Sequence, residues 1–187
     1  MDKIVLDIET KNAFADVGGQ QNLHKLDVSF VGVYSYKTNS YLSFFENELD
    51  KLSPILQNAG LIIGFASNRF DIPLLNKYYN FNLEKIESLD ILDDIESRLG
   101  HRIGLDQLAQ TNLKIGKTHH GLEAIKLYKE GNLEELKNYC LNDVKITKDL
   151  YELGKKQGHL LVPTDHGNNI VKVEFNWHER LPLQNLF

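Results

Sequence analysis

The order of apolar segments predicts an α/β or α+β arrangement with a mixed sheet. Two observations carry this. Short β-branched and aromatic runs occupy the first third of the chain, and apolar spacings of three and four dominate from residue 88 onward. Gly100, Gly104, Gly116, Gly121 and Gly131 punctuate that second region into separate helical segments. The chain has 187 residues, enough for one domain with a proper core.

Residues 3–8 (Lys-Ile-Val-Leu-Asp-Ile) read as a short buried strand. Residues 9–27 form a polar connection containing Gly18-Gly19 and Gln20-Gln21, and loops of that length in a compact domain are often functional. Residues 28–36 are β-branched and aromatic, as strands prefer. Lys37-Thr38-Asn39-Ser40 makes a hairpin turn, and residues 41–45 return as a strand. A helix over about 47–58 leads to Leu61-Ile62-Ile63-Gly64, a strand apolar enough to be central. Residues 72–79 start a helix with Pro73 in its first turn, where a missing N–H is tolerated. Segments 89–99, 104–111, 121–130 and 132–154 are helical by periodicity. We take residues 1–155 as the domain and 156–187 as a C-terminal extension. The extension holds the only tryptophan, Trp177, and a strand-like run over 170–175. It reads as an arm packed on the domain or a contact surface for a partner.

Composition narrows the function. Hydrophobic residues make up 42% and charged residues 25%, as in ordinary globular proteins. The net charge of −5 argues against a polybasic nucleic-acid binder, but not against an acidic site that works through metal ions. Residues 98–129 nevertheless carry a local charge of +4. The single cysteine, Cys140, excludes a disulfide framework and a Cys-rich zinc site, and fits a reducing, cytoplasmic setting. No apolar run approaches the ~20 residues of a membrane span. Asp7 interrupts the first apolar stretch, which therefore does not read as a signal peptide.

Three acidic sites stand out. Asp7 and Glu9 sit at i and i+2 of the first strand, so both carboxylates project from one face. Two adjacent acids on an apolar strand are costly unless a cation sits between them, and hard oxygen ligands suit Mg²⁺ or Mn²⁺. Asp71 follows an apolar strand and a short polar loop, where a helix starts. Helix capping is the plain alternative. Tyr139 and Asp143 stand four apart on a late helix and so share one face. Each site alone is undistinguished: a strand edge, a cap, a packed tyrosine.

In order along the chain, Asp7-Ile8-Glu9-Thr10, Phe70-Asp71-Ile72-Pro73 and Tyr139-Cys140-Leu141-Asn142-Asp143 are more specific. The pattern resembles the DEDD superfamily of 3′–5′ exonucleases, tyrosine subtype, which has the ribonuclease H-like fold. Position 138, where the histidine subtype carries its His, is Asn138. The tyrosine subtype includes ribonuclease D-like enzymes and the proofreading domains of family B polymerases. A narrower resemblance, over residues 3–155, is to bacterial exonuclease domains that occur alone or beside helicase domains. Residues 100–109 (Gly-His-Arg-Ile-Gly-Leu-Asp-Gln-Leu-Ala) also carry it.

The resemblance implies an α/β fold, a mixed central sheet flanked by helices. It also implies that Asp7, Glu9, Asp71 and Asp143 hold two divalent ions, Mg²⁺ or Mn²⁺, with Tyr139 orienting the attacking water. The substrate would be the 3′ end of DNA or RNA, the product a nucleoside 5′-monophosphate, and a helicase or polymerase the partner. The alternatives are a non-catalytic module of the same fold that binds nucleic acid or protein, and an endonuclease. Substrate contacts are expected from Thr10, Asn68, Phe70 and Lys117. Phe14, Tyr78 and Tyr79 are further aromatics able to stack on bases, with core packing the plain alternative. Many relatives carry Asn where this chain has Ala66, so either Ser67 or Asn68 would substitute for it in positioning the substrate, or that contact is lost. Gly116-Lys117-Thr118 is not a phosphate-binding loop, because Thr111 stands where that motif needs glycine. Lys117, with His119 and His120, is read instead as a loop touching substrate phosphate, or as an ordinary exposed loop. Asp90, Asp93 and Asp94 are read as surface acids at a helix N-terminus, with Asp90 alternatively a group close behind the metal ligands, and Cys140 as a small buried hydrophobe.

Overall fold

In the computed structural model, which describes residues 1–115, 121–164 and 169–177, strand β1 (Asp2–Thr10) runs through the centre of a five-stranded sheet. β2 (Val28–Ser35) and β3 (Ser40–Phe45) follow as an antiparallel meander on one side. β4 (Ala59–Gly64) lies on the other side, parallel to β1, and β5 (Ser88–Asp90) pairs parallel with β4. The order β3-β2-β1-β4-β5 makes the sheet mixed, as expected. Helices α1 (Leu49–Gln57), α2 (Asp71–Asn76), α3 (Ile91–Leu99), α4 (Leu105–Leu113), α5 (Gly121–Lys129) and α6 (Leu133–Gln157) cover it.

Strand alternation divides the core in two. Ile4, Leu6 and Ile8 pack with Leu52 and Leu56 of α1 and with Leu74 and Leu75 of α2. Val5 faces the opposite way, into a cluster with Ile91 and Ile95 of α3 and Val144 and Ile146 of α6. Each such side chain, fully buried, contributes about 1.5–3 kcal/mol. The odd-numbered face of β1 therefore looks at α6, and the even-numbered face at α1 and α2.

Helix α6 has 25 residues, a length of roughly 38 Å, and packs across β1, β2 and β4. Its close approach depends on Gly32 of β2, which lies opposite Asp7 in the ladder. A Cβ at Gly32 would lie 2.9 Å from Val144 Cγ2 and 3.0 Å from Cys140 Sγ. The isolated glycine in a β-rich run thus marks a helix seated directly on the backbone.

Two elements differ from the sequence reading. Residues 88–90 are strand, not the start of the helical region. Three residues are too few for a periodic signal, and their conformation comes from pairing with Ile62–Gly64. β6 (His159–Thr164) pairs antiparallel with β7 (Asn169–Glu174), the strand-like run of the extension. Leu160, Val162, Val173, Phe175 and Trp177 join the α3–α6 core. Trp177 stacks on Phe175 with ring centroids 4.4 Å apart, and its Nε1 donates to Asp94 at 2.5 Å. It sits over Gly154, where a Cβ would lie 2.3 Å from the indole ring.

The polar connection after β1 is ordered. It contains 3₁₀ segments over Phe14–Val17 and Gln20–Lys25, with Gly18 and Gly19 at positive φ between them. Lys11 N–H donates to Asp27 O at 2.8 Å and Asp27 N–H to Asn12 Oδ1 at 2.9 Å, closing the neck. Lys77, directly after α2, donates to Leu26 O and pairs with Asp27. Gly116-Lys117-Thr118 and His119-His120 lie outside the described residues, as do residues 178–187. Among the described residues no helix is long and apolar enough to cross a membrane.

Gly32→Ala should therefore overpack the α6–β2 contact and lower stability by about 1–3 kcal/mol. In a chain of this size that corresponds to about 2–4 °C in Tm per kcal/mol, readable by thermal unfolding. An unchanged Tm would show that α6 shifts freely.

Candidate active site

Asp7 and Glu9 project from the odd-numbered face of β1, beyond Val5, toward α6. Both are half-buried. β1 continues past its last pair with β4, Val5 to Ile63, so the edge beyond is open. Asp71 fills that edge: its Oδ1 accepts from Ile8 N–H at 3.0 Å. Asp71 is only 4% exposed and is the first residue of α2, with Phe70 at the cap position. Its carboxylate is thus spent on β1 and not on capping α2.

Tyr139 and Asp143 come from α6, one turn apart. Tyr139 packs with Phe30 of β2, Ala124 of α5 and Leu136. Its phenol lies in the field of the acids. Burial raises its pKa most, followed by the charges of Asp143, Glu9 and Asp7. Asp7 is pushed well above the usual carboxylate range by burial, then by Glu9, Asp71 and Asp143. Glu9 is pushed well above it too, by burial and then by Asp143 and Asp71. Burial lifts Asp71 to about 7, against the stabilising N–H donors of its own backbone and of Ile8. Sites separated by up to 136 residues in sequence are therefore brought into mutual repulsion.

Such an arrangement suits a divalent cation. The charges acting most strongly on Asp7 and Glu9 are other carboxylates. Lys11, next but one to Glu9, turns away to pair with Glu46. Ligand atoms of Asp7, Glu9 and Cys140 lie within 4.8 Å of one another. The thiol differs from the acids: burial, then Asp7 and Glu9, push its pKa well up, so it keeps its proton. It donates to Asp7 Oδ2 at 3.2 Å. What remains for a metal is a set of carboxylate oxygens, the donor chemistry of Mg²⁺ or Mn²⁺.

An open pocket of about 530 Å³ adjoins the acids, lined by Ile8, Glu9, Thr10, Phe14, Phe70 and Leu122 among others. Phe14 and Phe70 meet edge to face with centroids 5.8 Å apart. Of the residues expected to touch substrate, Thr10 and Phe70 line this pocket. Thr10 is buried, and its hydroxyl donates to Asn12 O at 2.9 Å. Asn68 is engaged elsewhere: its amide nitrogen donates to Asp93 and its oxygen accepts from Ser88. Ser67 Oγ is buried over Gly64, where a Cβ would lie 2.2 Å from it. Tyr78 and Tyr79 spend their hydroxyls on the backbone at Val28 and Leu49. Lys117 lies outside the described residues.

Sequence reasoning missed two contributors, Gly32 and Cys140, and left a third, Asp90, with two readings. Gly32 admits α6, and its position inside an aromatic, β-branched run was the available signal. Cys140, read as a passive hydrophobe, touches Asp7 directly. Asp90 is the cap of α3, as read, but it also binds the loop before Asp71. No local pattern announces the second and third.

Comparison with known proteins agrees with this architecture. The structure is similar to that of the family B DNA polymerase from the hyperthermophilic archaeon Pyrobaculum calidifontis, with a TM-score of 0.62 at 16% identity. The likeness covers 82% of this chain, but the chain spans only 24% of that polymerase. No curated protein matches the sequence. The sequence model of the RNase_H superfamily matches residues 4–154. That match runs from the first core residue of β1 to the last turn of α6, and so takes in every acid described above; the chain belongs to the RNase_H superfamily.

Proposed function

We propose that this chain is a metal-dependent 3′–5′ exonuclease of the DEDD tyrosine subtype. It hydrolyses phosphodiester bonds at the 3′ end of DNA or RNA and releases nucleoside 5′-monophosphates. One observation carries the reading: Tyr139 joins the acids of β1 and α6, because the charges of Asp143, Glu9 and Asp7 all act on its phenol.

Asp7, Glu9, Asp71 and Asp143 would hold two divalent ions, Mg²⁺ or Mn²⁺. Such a pair supplies positive charge to the attacking and leaving oxygens of an in-line displacement. Tyr139 keeps its phenolic proton at any working pH, because burial and the neighbouring carboxylates oppose ionisation. It therefore orients the attacking water by hydrogen bonding and does not act as its base. The water oxygen bonds to phosphorus, the P–O3′ bond breaks, and the shortened strand leaves with a new 3′ hydroxyl. The aromatic wall of Phe14 and Phe70 accepts the terminal base by stacking, which tolerates any base. Thr10, which lines the same pocket, contacts the same nucleotide. A helicase or polymerase that presents the 3′ end is the partner class.

The direct test uses 5′-labelled single-stranded DNA, duplex DNA and RNA with Mg²⁺, Mn²⁺ or EDTA. A ladder shortening from the 3′ end, absent with EDTA, is the expected result. Retarded but intact substrate would point to a binding module, and internal cuts to an endonuclease. Asp143→Asn should abolish cleavage with the fold intact, and a near-wild-type rate would remove the assignment. Tyr139→Phe should lower kcat by about 10–100-fold, as groups outside the metal shell do, with Mn²⁺ affinity preserved.

The acids also predict a pH dependence without metal. Asp71 titrates near 3.8 when unfolded and about 7 when folded. Its raised pKa means the folded state holds a proton that the unfolded state releases, so stability falls as pH rises between those values. In EDTA, Tm should drop from pH 5 to pH 7.5, and Mg²⁺ should restore more of it at pH 7.5 than at pH 5. Asp71→Asn should make the metal-free profile shallower, leaving the share carried by Asp7 and Glu9. An equally steep profile in that variant would place the titration elsewhere.

A further inference from the structure

The connection between β4 and α2 delivers Asp71 to the open edge of β1. Its backbone turns through Ala66 at φ +64°, a conformation that residues with a side chain rarely adopt. Asp90 holds it there. Oδ1 of Asp90 accepts from Ala66 N–H at 2.9 Å, and Oδ2 accepts from Asn68 N–H at 2.9 Å. The same Oδ1 caps α3, accepting from Leu92 N–H at 3.0 Å and Asp93 N–H at 3.2 Å. Four backbone donors thus converge on one carboxylate that is 4% exposed.

Other ties run between the same two elements. Asn68 Nδ2 donates to Asp93 at 2.9 Å, and Arg69 pairs with Asp93 at 3.1 Å and Glu96 at 2.8 Å. The arginine side chain is 51% exposed, and ion pairs in that setting contribute little. Asp90 is different. It is buried, it grips the backbone at the left-handed residue, and it stands three residues after Glu87, whose carbonyl accepts from Ile62 N–H of β4. The loop, the end of β5 and the start of α3 are therefore joined through one side chain.

We propose that Asp90 is a positioning residue for the active site: by clamping Ala66 and Asn68 to the N-terminus of α3, it fixes the seat of Asp71 beside Ile8 and so sets the affinity for divalent metal. This role rests on Asp71 being a metal ligand. Asp90 touches neither metal nor substrate, and acts only through the loop.

Two substitutions separate the clamp from the cap. Ser is a good N-cap, so Asp90→Ser keeps the bonds to α3. Its shorter side chain, with one oxygen, does not bridge to Ala66 and Asn68. Asp90→Asn keeps the acceptor at Oδ1 but turns an amide donor toward Asn68 N–H. Mn²⁺ binding is measured by calorimetry at pH 7.5, alongside Tm, backbone hydrogen exchange over 65–70, and kcat on single-stranded DNA at rising Mn²⁺. Asp90→Ser should weaken Mn²⁺ binding about 10–100-fold and speed exchange in the loop, with excess Mn²⁺ restoring most of kcat. Asp90→Asn should fall between wild type and Asp90→Ser, and carries the comparison if the serine variant does not fold. A lower Tm with unchanged Mn²⁺ affinity would make Asp90 a structural cap only and overturn the proposal. If the wild-type protein binds no Mn²⁺, the metal reading of Asp71 falls and this role falls with it.

Discussion

Repulsion among carboxylates gathered in a partly desolvated site is the constraint on which the rest of this structure depends. Asp7, Glu9, Asp71 and Asp143 come from β1, α2 and α6, and the first three have their pKa values raised by burial or by one another. Left alone, like charges in a partly desolvated site push their elements apart. The packing around them opposes that push. β1 is anchored through Ile4, Val5 and Leu6, all but fully buried, directly ahead of Asp7. α6 is seated on Gly32, where a side chain would collide with Val144 and Cys140 of the helix.

Hydrogen bonds then fix orientation within that frame. Ile8 N–H and the Cys140 thiol each donate to one of the acids, and both sit on the elements that carry neighbouring acids. Asp90 secures the loop that brings Asp71 in. The ordered segment after β1 supplies Phe14, which meets Phe70 from the loop before α2, and the apolar pocket they line reaches Glu9. With divalent cations held by its oxygens, an acidic centre beside an aromatic wall would suit a ligand with negative charge at one end and a flat ring at the other. A nucleotide has that form.

Much of the site was legible because its chemistry obeys local geometry. A strand period of two puts Asp7 and Glu9 on one face, and a helical step of four puts Tyr139 and Asp143 on another. Phe70 was legible as an aromatic beside an acid. Other roles depend on contacts that no local pattern encodes. Asn68 looked free to meet substrate, yet Ser88 and Asp93 occupy its amide. Cys140 looked inert, yet its thiol reaches Asp7 across 133 residues of sequence. β5 escaped notice because three residues carry no period, and only pairing with β4 makes them a strand.

By itself, the sequence determined the division into an early sheet and later helices, the mixed character of that sheet, and which acids share a face. Those properties follow from apolar periodicity and from backbone geometry within a few residues. The tertiary structure decided what the acids face and how they are held. It set α6 against the odd-numbered side of β1, gave Asp71 the open N–H of Ile8 in place of a helix cap, and made Asp90 the anchor of a loop two dozen residues away in sequence. The reason is physical: hydrogen bonds and repulsions between distant segments take effect only once burial has removed the water that would otherwise satisfy or screen them.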